Sequence, residues 1–192
     1  MANSGQARPA RIGVLDLGSN TVLLLVVDAR GRVIRDVARI TRLGQGVFAS
    51  SSLAPDAVAR TRAAISELAG LARADGVDRL VAVGTEALRR ARDGADFLAR
   101  LVSEGWVDGA RLLSGEEEAE LAIEATRRGV GAHAEALAVI DVGGGSTEIA
   151  WCERADAPIA ALSLPLGSVR LSEELLPRHP VPEPDLARVE PE

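Results

Sequence analysis

The sequence predicts an α/β layered fold, and three observations carry that reading. Three apolar strand-like runs follow one another, at Arg11 to Ser19, Thr21 to Ala29 and Val33 to Thr41, after which strand and helix patterns alternate. The 192 residues are 47% apolar and 26% charged, enough for one full core, so a second domain is small. The third observation is a turn that occurs twice. Val14-Leu15-Asp16-Leu17-Gly18-Ser19-Asn20-Thr21-Val22-Leu23-Leu24 and Ala138-Val139-Ile140-Asp141-Val142-Gly143-Gly144-Gly145-Ser146-Thr147-Glu148-Ile149 both run apolar strand, Asp, Gly, small polar side chains, apolar strand. The two aspartates lie about 125 residues apart, and such a repeat implies two related half-structures facing a shared cleft.

The first two runs read as adjacent buried strands, with Ala29-Arg30-Gly31-Arg32 as the turn into the third. Leu43-Gly44-Gln45-Gly46-Val47 is a glycine-punctuated loop. Pro55 suits the first position of a helix, where its missing N–H would have no partner anyway. Val58, Ile65, Leu68 and Leu71 give that helix an apolar face, and Gly76 stops it after Ala74. A short buried strand at Leu80 to Gly84 precedes helical segments at Glu86 to Ala91 and Asp93 to Gly105 and a strand at Ala110 to Leu113. A helix then starts at Ser114 and ends at Gly129. Ser114 and Glu117 stand at capping-box spacing, and Glu116 favours the positive end of the helix dipole, so both have structural work available. Glu118, roughly 100° further around, is not needed for the cap and is free to point at whatever the helix start faces. After the second hairpin, a strand at Ile159 to Leu164 leads through Pro165-Leu166-Gly167-Ser168 to a helix at Val169 to Leu176. Pro177, Pro180, Pro182, Pro184 and Pro191 mark the tail as a linker.

Consecutive glycines leave backbone N–H groups uncovered and free to take positive φ, so the second turn can wrap an anion at close range, with Ser146 and Thr147 adding hydroxyl donors. Asp141 at the strand end is placed to hold a divalent cation beside that anion. An ordinary glycine-rich hairpin is the alternative, and the matching turn at Asp16 weighs against it.

Composition removes several other functions. All 22 basic residues are arginine, which excludes a P-loop lysine, Schiff-base chemistry and a lysine base, and leaves arginine as the cationic phosphate ligand. Net charge is −6: residues 1–110 carry 15 Arg against 12 acids, and residues 111–192 carry 7 Arg against 16 acids, so a polyanion would be met mainly by the first part. With 2% aromatic residues, stacking platforms for single-stranded nucleic acid are hard to assemble, and no nucleic-acid partner is expected. Cys152, the single cysteine, reads as core and can form no intrachain disulfide, which points to a reducing, cytoplasmic setting. The polar start, Met1 to Ala10, lacks the apolar stretch of a secretory signal, and the longest apolar run, Val22 to Val27, is too short to span a bilayer. No Gly-x-Ser-x-Gly element is present, and His133 and His179 stand alone as surface or loop residues.

Five motifs in order resemble the exopolyphosphatase and guanosine pentaphosphate phosphohydrolase family (Ppx/GppA): Asp16-Leu17-Gly18-Ser19-Asn20-Thr21, Thr85-Glu86-Ala87-Leu88-Arg89, Ser114-Gly115-Glu116-Glu117-Glu118-Ala119, Asp141 through Glu148, and Leu164-Pro165-Leu166-Gly167. The resemblance covers nearly everything from residue 11 onward. It implies the ribonuclease-H-like fold of the actin, Hsp70 and sugar kinase superfamily: a disordered start at 1–10, a first lobe at 11–130, a partial second lobe at 131–176 and a Pro-rich tail at 177–192. It also implies Mg²⁺-dependent removal of terminal phosphate from inorganic polyphosphate or guanosine pentaphosphate. By position, Glu118 resembles the glutamate that orients and deprotonates the attacking water, and Asp16, Asp141 and Glu148 the metal-associated carboxylates. Gly18, Ser19, Asn20, Thr21, Gly143, Gly144, Gly145, Ser146 and Thr147 resemble the phosphate cradles, and Arg89 a phosphate ligand; a solvated helix charge beside Arg90 and Arg92 is its structural alternative. Glu120 stands where the family often has arginine, and Arg92-Asp93 where an asparagine is usual. Relatives in this family continue well beyond the Leu-Pro-Leu-Gly strand, so the chain alone is expected to be weakly active or inactive and to self-associate or take a partner that completes the sheet. Two other readings are an actin-like ATP-dependent kinase and a non-catalytic sensor of phosphate chains.

Overall fold

The computed structural model describes residues 10–130, 136–154, 157, 159–176 and 180–186. His133 and His179 lie outside the described residues, as do residues 1–9.

Strands β1 (Arg11–Leu17), β2 (Thr21–Asp28) and β3 (Val33–Ile40) form an antiparallel meander, because two tight turns suffice to join them. The chain then passes through the single turn α1 (Val47–Ser50) and the 20-residue helix α2 (Pro55–Ala74) to reach β4 (Arg79–Gly84), which lies parallel to β1. That pairing needs a crossover, and α2 supplies it. Two short helices, α3 (Glu86–Arg90) and α4 (Gly94–Ser103), lead to β5 (Gly109–Leu112), parallel to β4. The sheet order is β3-β2-β1-β4-β5.

Alternation along β1 and β2 sends Leu15, Leu17, Val22, Leu24 and Val26 into one core with Ile65 and Leu68 of α2, all fully buried. Each such side chain contributes about 1.5–3 kcal/mol through burial. The other face of the same strands is open: Ile12, Leu23 and Leu25 are 48%, 40% and 39% exposed. Strands that read as buried are therefore covered on one side, since among the described residues only one face carries a helix.

Helix α5 (Gly115–Val130) leaves the first sheet at β5 and packs on the second. That sheet has β6 (Leu137–Val142), β7 (Thr147–Cys152) and β8 (Ala160–Leu164) in antiparallel order β6-β7-β8. Ala119 and Ile123 of α5 are fully buried against Ala150 and Cys152 of β7, with Leu137, Val139, Ile159 and Ala161 around them. An apolar stripe on α5 shows in the sequence, but the sheet it covers is a tertiary outcome. The opposite face of the second sheet leaves Ile140 and Val142 exposed.

Helix α6 (Ser168–Glu174) begins one residue before the expected helix and ends two residues short of Leu176, and a short helix α7 (Glu183–Leu186) stands in the tail that read as linker. The two lobes are joined near α6: Gly46 N–H donates to Glu173 at 3.0 Å, and the Arg170 guanidinium lies 5.4 Å from the Phe48 ring centre. Among the described residues, no helix is long and apolar enough to cross a membrane.

Candidate active site

A cavity of about 300 Å³ opens between the two sheets. It is lined by Asp16, Gly18, Ser19, Asn20 and Thr21 from the first turn and by Asp141, Gly143, Gly144, Gly145, Ser146 and Glu148 from the second, and Glu118 projects into it from α5. The two turns close alike. Gly18 N–H donates to Thr21 O at 3.0 Å, and Gly143 N–H donates to Ser146 O at 2.9 Å. A Cβ on either glycine would stand 3.1 Å from the carbonyl that closes its own turn.

None of Gly18, Gly143, Gly144 or Gly145 has positive φ, which corrects the expectation drawn from three consecutive glycines. Their small size serves close approach instead. A Cβ on Gly145 would meet Ser19 Oγ at 2.6 Å and Phe48 at 2.9 Å, one on Gly144 would meet Asn20 at 3.2 Å, and one on Gly167 would meet the Gly144 backbone at 2.4 Å. Two turns from different sheets can therefore touch. Backbone also supports each turn from behind: Thr41 and Arg42 N–H donate to Asn20 O, Gly44 N–H to Ser19 O, and Val169 and Arg170 N–H to Gly144 O. The N–H groups of Ser19, Asn20, Gly144 and Gly145 make no hydrogen bond to another described group and remain available to an anion.

Glu118 is fixed by the capping box below it. Glu117 N–H donates to Ser114 Oγ at 3.1 Å and Ser114 N–H to Glu117 at 2.8 Å, while Glu117 also pairs with Arg111 at 2.5 Å. Gly115 lets this helix start sit against β8, since a Cβ there would meet Ser163 at 2.3 Å. Burial pushes the Glu118 carboxyl up to about 7; Arg89 works against that shift, while Glu148 and Asp16 add to it. Asp16 is pushed up to about 6, first by burial and then by Asp141.

Arg89 and Thr147 do not line the cavity. Arg89 is clamped by carboxylates: it donates to Glu118, to Glu86 at 2.8 Å and to Leu113 O at 2.6 Å. Burial pulls its guanidinium down, but Glu118 and Glu86 outweigh that and raise it. Thr147 gives its hydroxyl to Leu166 O at 2.6 Å. Glu148 is 4% exposed and accepts from Ser163 Oγ at 2.8 Å. Sequence reasoning missed Glu86, Thr85 and Ser168, which also line the cavity. The i,i+3 spacing of Glu86 and Arg89 was a signal for the first of these.

Five carboxylates, Asp16, Glu86, Glu118, Asp141 and Glu148, line the space, and Arg89 is paired with two of them. A polyanion would be repelled from such a cavity unless a cation entered with it. Asp16 Oδ1 is buried with no hydrogen-bond partner, as expected of an oxygen that accepts a metal. Among the described residues, no group of three or more His, Cys, Asp or Glu forms a ready cage. A hard ion that keeps its waters and takes substrate oxygens needs no such cage. The all-oxygen donor set of Asp16 and Asp141 fits a cation of that kind.

Two sheets meeting at twin Asp-Gly turns define a two-lobed α/β fold of the ribonuclease-H-like plan with a polar cleft between the lobes. The chain belongs to the Ppx/GppA phosphatase family, whose sequence profile matches residues 25–191. It is similar to exopolyphosphatase 1 of Mycobacterium tuberculosis, 38% identical over 174 residues, covering 88% of this chain and 50% of that protein. Its fold matches the crystal structure of an exopolyphosphatase from Cytophaga hutchinsonii with TM-score 0.82 at 25% identity, covering 93% of this chain and 57% of the other. The Aquifex aeolicus member of the family matches with TM-score 0.71 at 31% identity, covering 93% and 58%. The chain spans about half the length of the curated relatives it matches.

The raised carboxyls set a pH dependence. With folded values near 6 and 7 against 3.8 and 4.5 for free groups, Asp16 and Glu118 contribute stability that is complete at low pH and lost as pH rises through their folded values. Metal-free protein is therefore expected to melt at a lower temperature at about pH 7.5 than at about pH 5, and Mg²⁺ should raise the melting temperature more at the higher pH. Thermal melts at both pH values, with chelator and with Mg²⁺, check this; an equal Mg²⁺ effect at both would contradict it.

Proposed function

We propose that this cleft hydrolyses terminal phosphoanhydride bonds of a phosphate chain, inorganic polyphosphate first and guanosine pentaphosphate as the nucleotide counterpart. The observation that carries the reading is the meeting of both Asp-Gly turns and Glu118 in one cavity. Phosphoryl transfer asks for an in-line water, neutralised charge and little covalent help, so positioning and electrostatics supply the rate. The free N–H groups of Ser19, Asn20, Gly144 and Gly145 hold the terminal phosphoryl oxygens, with Ser146 and Thr21 beside them. Glu118 orients a water and takes its proton; a carboxyl near 7 is matched to that task at neutral pH. Arg89 holds Glu118 in place and is itself anchored by Glu86. A Mg²⁺ held by Asp16 and Asp141, with Glu148 behind them, would neutralise phosphate oxygens and admit the polyanion.

The test is orthophosphate release from polyphosphate and from guanosine pentaphosphate, each with Mg²⁺ and with chelator. Release from either that requires the cation supports the proposal. Binding of both with no release would favour a non-catalytic sensor, and release only from ATP in the presence of an acceptor would favour a kinase.

A further inference from the structure

A second cavity, of about 330 Å³, adjoins the first. Asn20 and Ser168 line both, and Arg42, Val169, Ser172 and Glu173 complete the second. It lies between the two segments that support the phosphate turns: Arg42 N–H donates to Asn20 O at 2.9 Å, and Val169 N–H donates to Gly144 O at 2.8 Å.

The charges of the two cavities differ. The first holds five carboxylates. The second holds one acid, Glu173, already bonded to Gly46 N–H at 3.0 Å, and one cation, Arg42. Arg42 makes no hydrogen bond or ion pair through its side chain with any described residue, whereas Arg89 is held by two carboxylates. Its backbone is also unusual: φ is 52°, in the left-handed region that a side chain of this kind rarely adopts. Such strain persists where surrounding structure enforces it and concentrates at binding sites. Ser172 donates its hydroxyl to Ser168 O at 2.7 Å, which leaves its oxygen as an acceptor only.

A chain whose terminal phosphate sits between the twin turns must lead its remaining phosphates out of the cleft. The route past Asn20 and Ser168 ends at a guanidinium with its donors unused. We propose that the Arg42 cavity is a subsite for the distal, non-reacting phosphates of the substrate, with Arg42 as their bidentate ligand. This rests on the cleft being a phosphate-chain site. It adds that chain length is read at Arg42, outside the reacting centre.

The test measures Mg²⁺-dependent binding of pyrophosphate, long-chain polyphosphate and guanosine pentaphosphate by calorimetry, on an E118Q background so that ligands persist. R42G removes the guanidinium and relieves the left-handed backbone, so it should fold at least as well as its parent; R42Q gives a second readout with the side chain kept. R42G and R42Q are expected to weaken a long ligand about tenfold, the loss of one charged hydrogen-bonding partner, and to leave pyrophosphate unchanged. R42K should recover part of the affinity. A loss for polyphosphate assigns the inorganic chain, and a loss for the pentaphosphate assigns the distal phosphates of the nucleotide. Unchanged affinity for all three ligands overturns the subsite and leaves the cleft reading standing. An equal loss for pyrophosphate also overturns it, because Arg42 would then act at the first cavity. A parent that binds none of the three ends both readings.

Discussion

Glu118→Gln is expected to lower phosphate release by about 10²–10⁴-fold, the usual range for loss of a positioned general base, while phosphate-chain affinity stays within a few-fold of the wild type. Gln keeps the size of the side chain and can still contact Arg89, which retains Glu86 as its other partner. Stability should hold or rise. The carboxyl sits near 7, so its ionised form is disfavoured by the fold at neutral pH, and replacing it with a neutral group removes that penalty. Single-turnover kinetics, binding titrations and thermal melts on the same preparation separate these effects. Unimpaired release would remove Glu118 from the mechanism, and a large loss of binding would make it a ligand of the substrate.

Gly167→Ala is expected to be the most damaging single methyl group at the cleft. The added Cβ would lie 2.4 Å from the Gly144 carbonyl and 2.5 Å from Gly145 N, both backbone atoms that cannot rotate away. Relief requires the loop before α6 to withdraw from the second turn, which breaks the N–H donations of Ser168, Val169 and Arg170 to Gly143 O and Gly144 O. Overpacking of this kind costs about 1–3 kcal/mol, and the distorted turn should lose at least tenfold in phosphate affinity. Gly144→Ala, whose Cβ would meet Asn20 and Ser19 at 3.2 Å, should cost less. Gly70→Ala is the control: it lies exposed inside α2 with nothing within 4 Å, so the change should stabilise by about 1 kcal/mol. Denaturant melts rank the three, and a neutral Gly167→Ala would contradict the account of why these turns carry glycine.

The twin turns were legible because strand, Asp, Gly and small polar residues form a local pattern that occurs twice. Glu118 stood out because Ser114 and Glu117 accounted for the cap and left it over. The purpose of the glycines was not legible. Local reasoning assigns Gly143 to Gly145 to positive φ, yet the size of Gly144 and Gly145 is demanded by Ser19, Asn20 and Phe48, contributed by distant parts of the chain, and only Gly143 answers to its own turn. Pairing of Arg89 with Glu118 joins residues 29 positions apart, and no periodicity announces it. The apolar stripe of α5 was visible, but an amphipathic helix shows only that one face is covered. That β7 covers it, rather than β5 just before it, depends on the crossing between lobes.

The central claim is that one cation site lies between the two Asp-Gly turns. The most direct measurement is the broadening of backbone amide resonances of ¹⁵N-labelled protein by substoichiometric Mn²⁺, a paramagnetic stand-in for Mg²⁺. The account predicts that amides of both turns, Gly18 to Asn20 and Gly143 to Ser146, broaden first and together, and that Asp141→Asn suppresses the effect at both. Broadening confined to one turn, or centred on acidic surface away from the cleft, would contradict it.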